Sequence, residues 1–478
     1  MFKPTLLAAA LACALPATSL AAEPDIASLR AEFDAKLKAL QDHYEARLAE
    51  LEARAAKATV TPAVAPVTDR IGEVSSGTAM NPKISVIFDG VYYTDNKKGD
   101  GPEMLEHIDG INHSHDHEGH SHGALERGFN LRETEIALSS TVSPYFDAAL
   151  YMTVGSDGGV ELEEAYFDTR QLPAGLKLRG GKFLSNIGYL NSQHPHAWDF
   201  VDPTLPYRAL LGDHGLMDTG VRLDWTPRTG SLYTLLGVEL LQGREQFIAT
   251  GAESLPDDLD GLGFGELPDG KAGPRLVTAF AKFSPDLGDS HALRLGLWGA
   301  KSNQLQEVHD HRDEDPDAVV HGLHGDATLW GLEAVYKFDA PEADGVGDLT
   351  LAAEYLRERK DLKVAYHQAN ASLIGAPRVF TQDGFYLQAV YGFAPSWQVG
   401  LRYDVTGLTS EVDRGISVTR NEQSDRWTLA VTRNLTEFSR LRLQASTADL
   451  SVEGDAERVN QVYLQYQHSL GSHGAHAF

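Results

Sequence analysis

The chain has almost no thiol chemistry available to it. Among 478 residues there is one cysteine, Cys13, and there are five methionines. A disulfide scaffold, a zinc finger and an iron–sulfur centre are excluded, because each needs several thiols. Long apolar runs are also missing. Mean hydropathy is −0.28, and past the N-terminus no run reaches the ~18 residues expected of a membrane-crossing helix. Positive charge is scarce, with 41 Lys and Arg against 68 Asp and Glu, a formal charge of −27. That balance argues against a nucleic-acid partner, whose phosphates must be neutralised by basic groups. H-E-x-x-H does not occur, and no enzyme constellation stands out.

What is present begins with a targeting signal. In residues 1–22, Lys3 forms a short basic region, Thr5–Leu15 is apolar but too short to span a bilayer, and Ser19, Ala21 and Ala22 suit signal peptidase. A lipoprotein box ending at Cys13 is the competing reading, weakened by the short apolar stretch before it. Export would remove the only thiol and leave 40 basic against 68 acidic residues, a charge of −28.

Residues 23–57 are rich in Ala, Glu, Leu, Lys and Arg. Ile26, Leu29, Phe33, Leu37, Leu40, Tyr44, Leu48, Leu51 and Ala55 recur in steps of 3, 4 and 4. This eleven-residue repeat predicts a nearly straight or slightly right-handed coiled coil. A single apolar stripe needs partner helices, so the segment implies self-association; an amphipathic helix lying on its own domain or on a membrane is the alternative. Residues 58–82 are rich in Pro, Thr and Ser and read as a linker.

From about residue 83 the period falls to two. In 397–405, Trp397, Val399, Leu401, Tyr403 and Val405 share one face, opposite Gln398, Gly400, Arg402 and Asp404. Sixteen such segments are counted, at 83–93, 128–142, 144–155, 159–169, 174–184, 216–226, 231–241, 275–284, 290–300, 327–338, 346–358, 384–393, 396–406, 425–434, 438–448 and 459–470. Spacers alternate long and short, except for the third, and short ones carry Ser143-Pro144, Thr226-Pro227, Ser284-Pro285 or Ala394-Pro395. The pattern predicts an all-β transmembrane antiparallel barrel of about sixteen strands over 83–478, with tight periplasmic turns and long outer loops, in the outer membrane of a Gram-negative cell. A soluble sandwich or propeller is the competing fold. Glu133, Glu135 and Glu161 to Glu164 spoil the alternation of the second and fourth segments, and Ser472–Ala477 suggests that the last strand stops near Leu470.

In this order of segments the chain resembles the phosphate-selective porin superfamily. Leu178-Arg179-Gly180-Gly181-Lys182-Phe183-Leu184 followed by Ser185-Asn186-Ile187-Gly188 resembles that superfamily's strand entering a long third loop. The stretches 193–200 (QHPHAWDF), 208–212 (RALLG) and 471–476 (GSHGAH) resemble a His-rich branch often labelled zinc-regulated outer-membrane receptors. The resemblance implies a homotrimer, joined through barrel walls and coiled coil, that passes small solutes. Phosphate selectivity does not carry over, since it needs a ladder of basic residues. Nor does the receptor label in its TonB-dependent sense, since only about 60 residues lie between the signal peptide and the first strand.

Porin-like third loops often fold inward. Here 185–215 would do so, with Trp198, Phe200 and Tyr207 packing on the wall. His194, His196, Asp199, Asp202, Arg208, Asp213 and His214 are the candidate constriction residues, their acidic excess favouring cations and neutral solutes. Lys177, Arg179, Arg294, Arg402 and Arg442 are expected to face the lumen. Six histidines fall in loop 1 (His107, His113, His115, His117, His120, His122) and four in loop 5 (His309, His311, His321, His324). Imidazoles at H-x-H and H-x-x-H spacing with carboxylates nearby suit exchangeable zinc or another divalent metal, with no cofactor required for the fold. The competing readings are a polar loop that binds metal incidentally and a pH-sensitive gate. The sequence therefore predicts a porin with metal-capturing outer loops. The alternatives are a general or anion-selective porin with incidental His loops, and a structural outer-membrane tether. Deleting residues 25–57 is expected to weaken the trimer while the barrel still inserts. Light scattering of the truncated protein checks this, and an unchanged trimer would remove the coiled coil as an oligomer contact.

Overall fold

A strand with one apolar and one polar face cannot satisfy both faces in an open sheet within lipid, where every exposed backbone edge is costly. Closing the sheet on itself solves both problems. The computed structural model describes residues 82–471 except 98–102, 106–107, 109–124, 156–157, 213, 245–246, 251–252, 254, 256–264, 311–318 and 453, together with Lys38. The signal-peptide, coiled-coil and most of the linker readings, the six loop 1 histidines, His311 and Asp213 lie outside the described residues.

The strands are β1 (Lys83–Asp95), β2 (Gly128–Ser143), β3 (Phe146–Val154), β4 (Val160–Thr169), β5 (Leu176–Leu184), β6 (Met217–Trp225), β7 (Leu232–Leu241), β8 (Leu276–Pro285) and β9 (His291–Ser302). They continue as β10 (Leu305–His309), β11 (His321–Phe338), β12 (Leu349–His367), β13 (Pro377–Ala394), β14 (Trp397–Asp413), β15 (Val418–Arg420), β16 (Ser424–Thr436), β17 (Ser439–Val452) and β18 (Asp455–Gly471). Sixteen make the wall. The short β10 and β15 only extend it, pairing with β11 and β14, while β9 pairs with β11 and β14 with β16. β1 closes the ring antiparallel to β18, from Ser85↔Gly471 to Asp95↔Gln461. All sixteen expected segments fall on these strands.

The two faces separate as the alternation requires. Leu401, Leu429, Leu443 and Leu464 are exposed on the outer surface, while Arg402, Thr428, Arg442, Gln444 and Gln465 beside them are buried toward the lumen. Outer-face aromatics pack in pairs, such as Tyr403 on Trp427 at 4.7 Å between ring centres. Tight turns close one end. At Gly175 (φ 79°) a Cβ would lie 2.2 Å from the Thr226 carbonyl oxygen, so this crossing of the β4–β5 and β6–β7 turns requires glycine.

Two differences from the sequence expectation have physical causes. The irregular second and fourth segments are bulged strands. Arg132 is an extra residue opposite Asp89 and Gly90, and Glu163 is one opposite Tyr151 and Met152. A bulge breaks the period of two and re-aims a side chain. Several outer hairpins are also longer than expected: β12 runs to His367, β13 starts at Pro377 and β14 runs to Asp413. Period two persists there, with Lys360, Leu362 and Val364 inward and Arg359, Asp361 and Lys363 outward. A charged outer face above the bilayer does not read as a lipid-facing strand.

Leu429→Arg puts a cation on the outer face of the wall between Leu401 and Ala445. A loss of about 2–4 kcal/mol is expected from the mid-bilayer cost of such a charge. Urea unfolding of barrels refolded into lipid measures it, and an unchanged midpoint would show that this face does not meet hydrocarbon.

Candidate functional site

The lumen is organised around the loop between β5 and β6, residues 185–216. Its base is tied by Asn191, whose Nδ2 donates to the Ser185 and Leu216 carbonyls at 2.9 and 3.2 Å while Oδ1 accepts from Leu216 N at 2.7 Å. From there the chain folds into the barrel and reaches the opposite wall. Glu354 on β12 accepts from Tyr189 N at 2.6 Å and Leu190 N at 3.1 Å, and Tyr386 on β13 donates to the same carboxylate. Gln444 on β17 brackets the loop, accepting from Val201 N and donating to Asp202 Oδ1. Trp198, Tyr207, Leu210 and Leu211 bury themselves among wall residues such as Phe280, Trp298 and Tyr386, giving the barrel an apolar core inside its lumen.

Within the loop, the helix α1 (Leu205–Leu211) starts at Thr204, whose hydroxyl accepts from Tyr207 N, with proline in its first turn. Its first amide, Leu205 N, donates to Asp404 Oδ2 on β14 at 2.8 Å. Asp404 also belongs to an ion lattice: Arg402 reaches Asp202 at 2.9 Å and Asp404 at 3.2 Å, and Arg426 reaches Asp404 at 2.8 Å and pairs with Asp202 as well. Arg402 additionally lies over the Phe200 ring at 4.7 Å. Burial raises the Asp202 carboxyl, but Arg426 and then Arg402 outweigh it and bring the pKa to about 2. Asp199 accepts from Gln388 at 3.0 Å; burial raises its pKa, only partly offset by Arg442, Arg440 and Lys337.

The expected constriction residues therefore take different places. Asp199 and Asp202 do not face the opening as solvated charges. They dock on wall side chains, because a carboxylate inside a narrow lumen is stable only when paired. Arg208 sits on α1 beside a cavity lined by Tyr93, Asp202, Arg426 and Tyr463, and His214 is exposed. His194 and His196 are buried against the near wall among Glu135, Glu163 and Glu164. Burial alone would lower the His194 pKa, but the adjoining carboxylates of Glu163, Glu164 and Glu135 raise it well above the usual imidazole value. Those three glutamates were not among the expected site residues. Their signal was the spoiled alternation itself.

At the outer rim, His309 lies directly across from His321, and His321 across from His367. The rings stack at 4.8 and 6.1 Å, and His309 Nε2 is 3.2 Å from Glu307 Oε2. His367 completes a row that sequence spacing did not reveal, because cross-strand register makes it. His324 is not part of the row; it pairs with Gln306 and Lys363.

These features define a closed sixteen-stranded antiparallel barrel with a polar lumen crossed by its third outer loop. The chain belongs to the same family as an uncharacterized protein of Aquifex aeolicus (strain VF5), with which it shares 34% identity over 408 residues, 84% of this chain and 81% of that one. No family model matches the chain. Similar solved structures include the trimer form of OmpT, an outer-membrane protein of Vibrio cholerae (11% identity, 82% of this chain, 99% of that one, TM-score 0.48). The outer-membrane channel DcaP of Acinetobacter baumannii is another (13%, 83% and 99%, 0.46), as is an anion-selective porin from Comamonas acidovorans (12%, 82% and 99%, 0.46).

Asp202→Asn leaves Arg402 and Arg426 sharing one carboxylate. Breaking a buried pair costs about 3–5 kcal/mol, so the loop is expected to detach and become sensitive to limited proteolysis while the wall stays intact. The pH dependence has a definite sign. A depressed carboxyl stabilises docking above the ordinary value near ~4 and loses that contribution as pH falls toward the folded value. The parent loop is thus expected to stay docked at pH 4 and to loosen only as the pH approaches about 2. Equal protease sensitivity of parent and variant at neutral pH would rule out the lattice as the anchor.

Proposed function

We propose that the chain is an outer-membrane porin that passes small hydrophilic solutes, and that its His-rich outer loops collect divalent metal, zinc first. The observation that carries the porin reading is the combination of an apolar outer face with a polar lumen narrowed by a docked loop. A structural tether needs only the outer face. The wall residues Arg402, Arg426, Arg442, Gln444 and Gln465 project into the lumen, where they are buried beneath or beside the loop that narrows it. A homotrimer with a periplasmic coiled coil belongs to this reading, as does membership of the His-rich branch that the sequence resembles. The His309, His321 and His367 row supports metal capture at the rim.

With Asp202 paired in the lattice, the cation preference expected from the sequence rests on the acidic residues of loop 5, Asp313, Glu314, Asp315 and Asp317, which lie outside the described residues. A second reading, an anion-selective pore, is favoured by one observation. Arg440 donates to the His196 and Trp198 carbonyls, and Arg442 to Trp198 O, Thr432 and Gln465, so their charge is not cancelled by a bonded carboxylate.

Reversal potential in planar bilayers separates the two: a modest cation preference is expected, and an anion-selective parent would make Arg440 and Arg442 the selective residues. Replacing His113, His115, His117, His120 and His122 with Ala is expected to remove most zinc sites in titration calorimetry without lowering barrel stability. Zinc binding by the parent is expected to fall below about pH 6, where imidazole protonates. Equal zinc stoichiometry in parent and variant would end the capture reading.

A further inference from the structure

The near wall of the lumen carries a second, differently built group of metal-ligating side chains. The bulge at Glu163 turns two successive carboxylates, Glu163 and Glu164, toward the lumen instead of one. Glu135 on β2 is buried beside them, and the docked loop inserts His194 and His196 between the strands. One ligand atom each from Glu135, Glu163 and His194 lies within 4.8 Å of the others. His194 Nδ1 is 3.2 Å from Glu135 Oε2 and 3.4 Å from Glu163 Oε2, and His196 Nδ1 is 3.2 Å from the same Glu135 oxygen. A tetrahedron with metal–ligand bonds of about 2.0–2.1 Å has edges of roughly 3.3 Å. The three separations from His194 to Glu135, His194 to Glu163 and His196 to Glu135 match such edges.

Three further observations agree. Glu163 Oε2 is fully buried, and its contact with His194 Nδ1, at 3.4 Å, is beyond a normal hydrogen-bond length. His194 Nε2 is 2.7 Å from Glu164 Oε1, and Glu164 Oε2 in turn accepts from Leu184 N at 2.8 Å. A carboxylate that takes the Nε2 proton leaves Nδ1 as a lone pair aimed at Glu135 and Glu163, the arrangement that orients metal-bound imidazoles. Tyr151 stacks on the His194 ring at 4.9 Å and holds its plane. Three buried carboxylates also call for more positive charge than a single imidazolium supplies, and a divalent ion would take the place of that proton.

We propose that Glu135, Glu163 and His194, with His196 at the fourth position and Glu164 orienting His194, hold a divalent zinc-like transition-metal ion that latches the constriction loop to β2 and β4. The mixed nitrogen and oxygen set suits zinc, cobalt or nickel. It is unlike the all-oxygen shells of calcium and magnesium or the sulfur ligands of copper(I). The site is independent of metal capture by the outer loops and belongs to the pore itself: with the ion in place, the loop is fixed on both walls of the lumen.

The test uses full-length protein in detergent, with the five loop 1 histidines named above and His309, His321 and His367 all replaced by Ala in one loop 1 variant, stripped with chelator and titrated with zinc alone. One ion per chain is expected to remain bound tightly. Glu163→Gln and His194→Asn should each weaken it about a hundredfold or more, and Glu164→Gln about 10–100-fold. Cobalt substituted for zinc should give the intense visible absorption of a four-coordinate site, lost in Glu163→Gln. Single-channel current noise should rise when the ion is removed from the parent and should already be high in His194→Asn. Heat-modifiable gel mobility verifies that each variant forms the barrel, and Glu163→Asp and His194→Gln replace any that does not. Absence of a stoichiometric ion in the loop 1 variant, or zinc affinity in Glu163→Gln and His194→Asn equal to it, overturns the site. A parent that binds no more zinc than the loop 1 variant, with the one ion retained in both, overturns only the capture reading.

Discussion

The lattice of Asp202, Arg402, Asp404 and Arg426 is the interaction on which the interior depends. Two guanidinium groups on adjacent strands, β14 and β16, would repel each other and be costly to desolvate if left alone. The loop supplies one of the carboxylates that make the arrangement stable, and with it brings the α1 amide to Asp404. Once those contacts fix residues 202–205, the preceding aromatics have one place to go. Phe200 lies under Arg402 and Trp198 against Tyr207, and the apolar core of the lumen follows.

Most of the wall was legible in the sequence because alternation is dictated by lipid on one side and water or polar groups on the other. The reading failed where that contrast fades. Above the bilayer both faces of β12 carry charge, so its outer part, 359–367, was assigned to a loop. At Arg132 and Glu163 an inserted residue shifts the phase, so β2 and β4 looked poor when they are bulged. The third loop was recognisable as a lumen element, but the partners of its charges were not. Nothing in the spacing of Asp202 announces that Arg402 and Arg426, two hundred residues away and more, will neutralise it. The His309–His321–His367 row and the Glu135–Glu163–His194 group were hidden for the same reason. Both are made by register and loop docking, and neither is contiguous in sequence.

Net charge proves a poor guide to the pore. The chain is at −27, yet the wall facing the loop holds Arg402, Arg426, Arg440 and Arg442 within β14 to β17. Farther round the wall, past β18 and β1, the buried charges of β2 and β4 are mostly glutamate. The lumen wall thus carries an acidic bank and a basic one, and the loop presents histidines to the first and aspartates to the second.

The long strands β11 and β12 have a mechanical consequence. Their hydrogen-bonded ladder is continuous from His321↔His367 at the histidine rim to Phe338↔Leu349 beside the tight turn at the other end, with one register shift near the top. At roughly 3.3 Å per residue, β12 alone is a rod of about 60 Å. Such a rod does not bend easily, because bending requires ladder bonds to break together. A load applied at the rim histidines is thus carried down the rod past Glu354, where the constriction loop is attached. The tall side of the barrel is a lever arm with one end at the histidine row and its working point where the loop crosses the lumen.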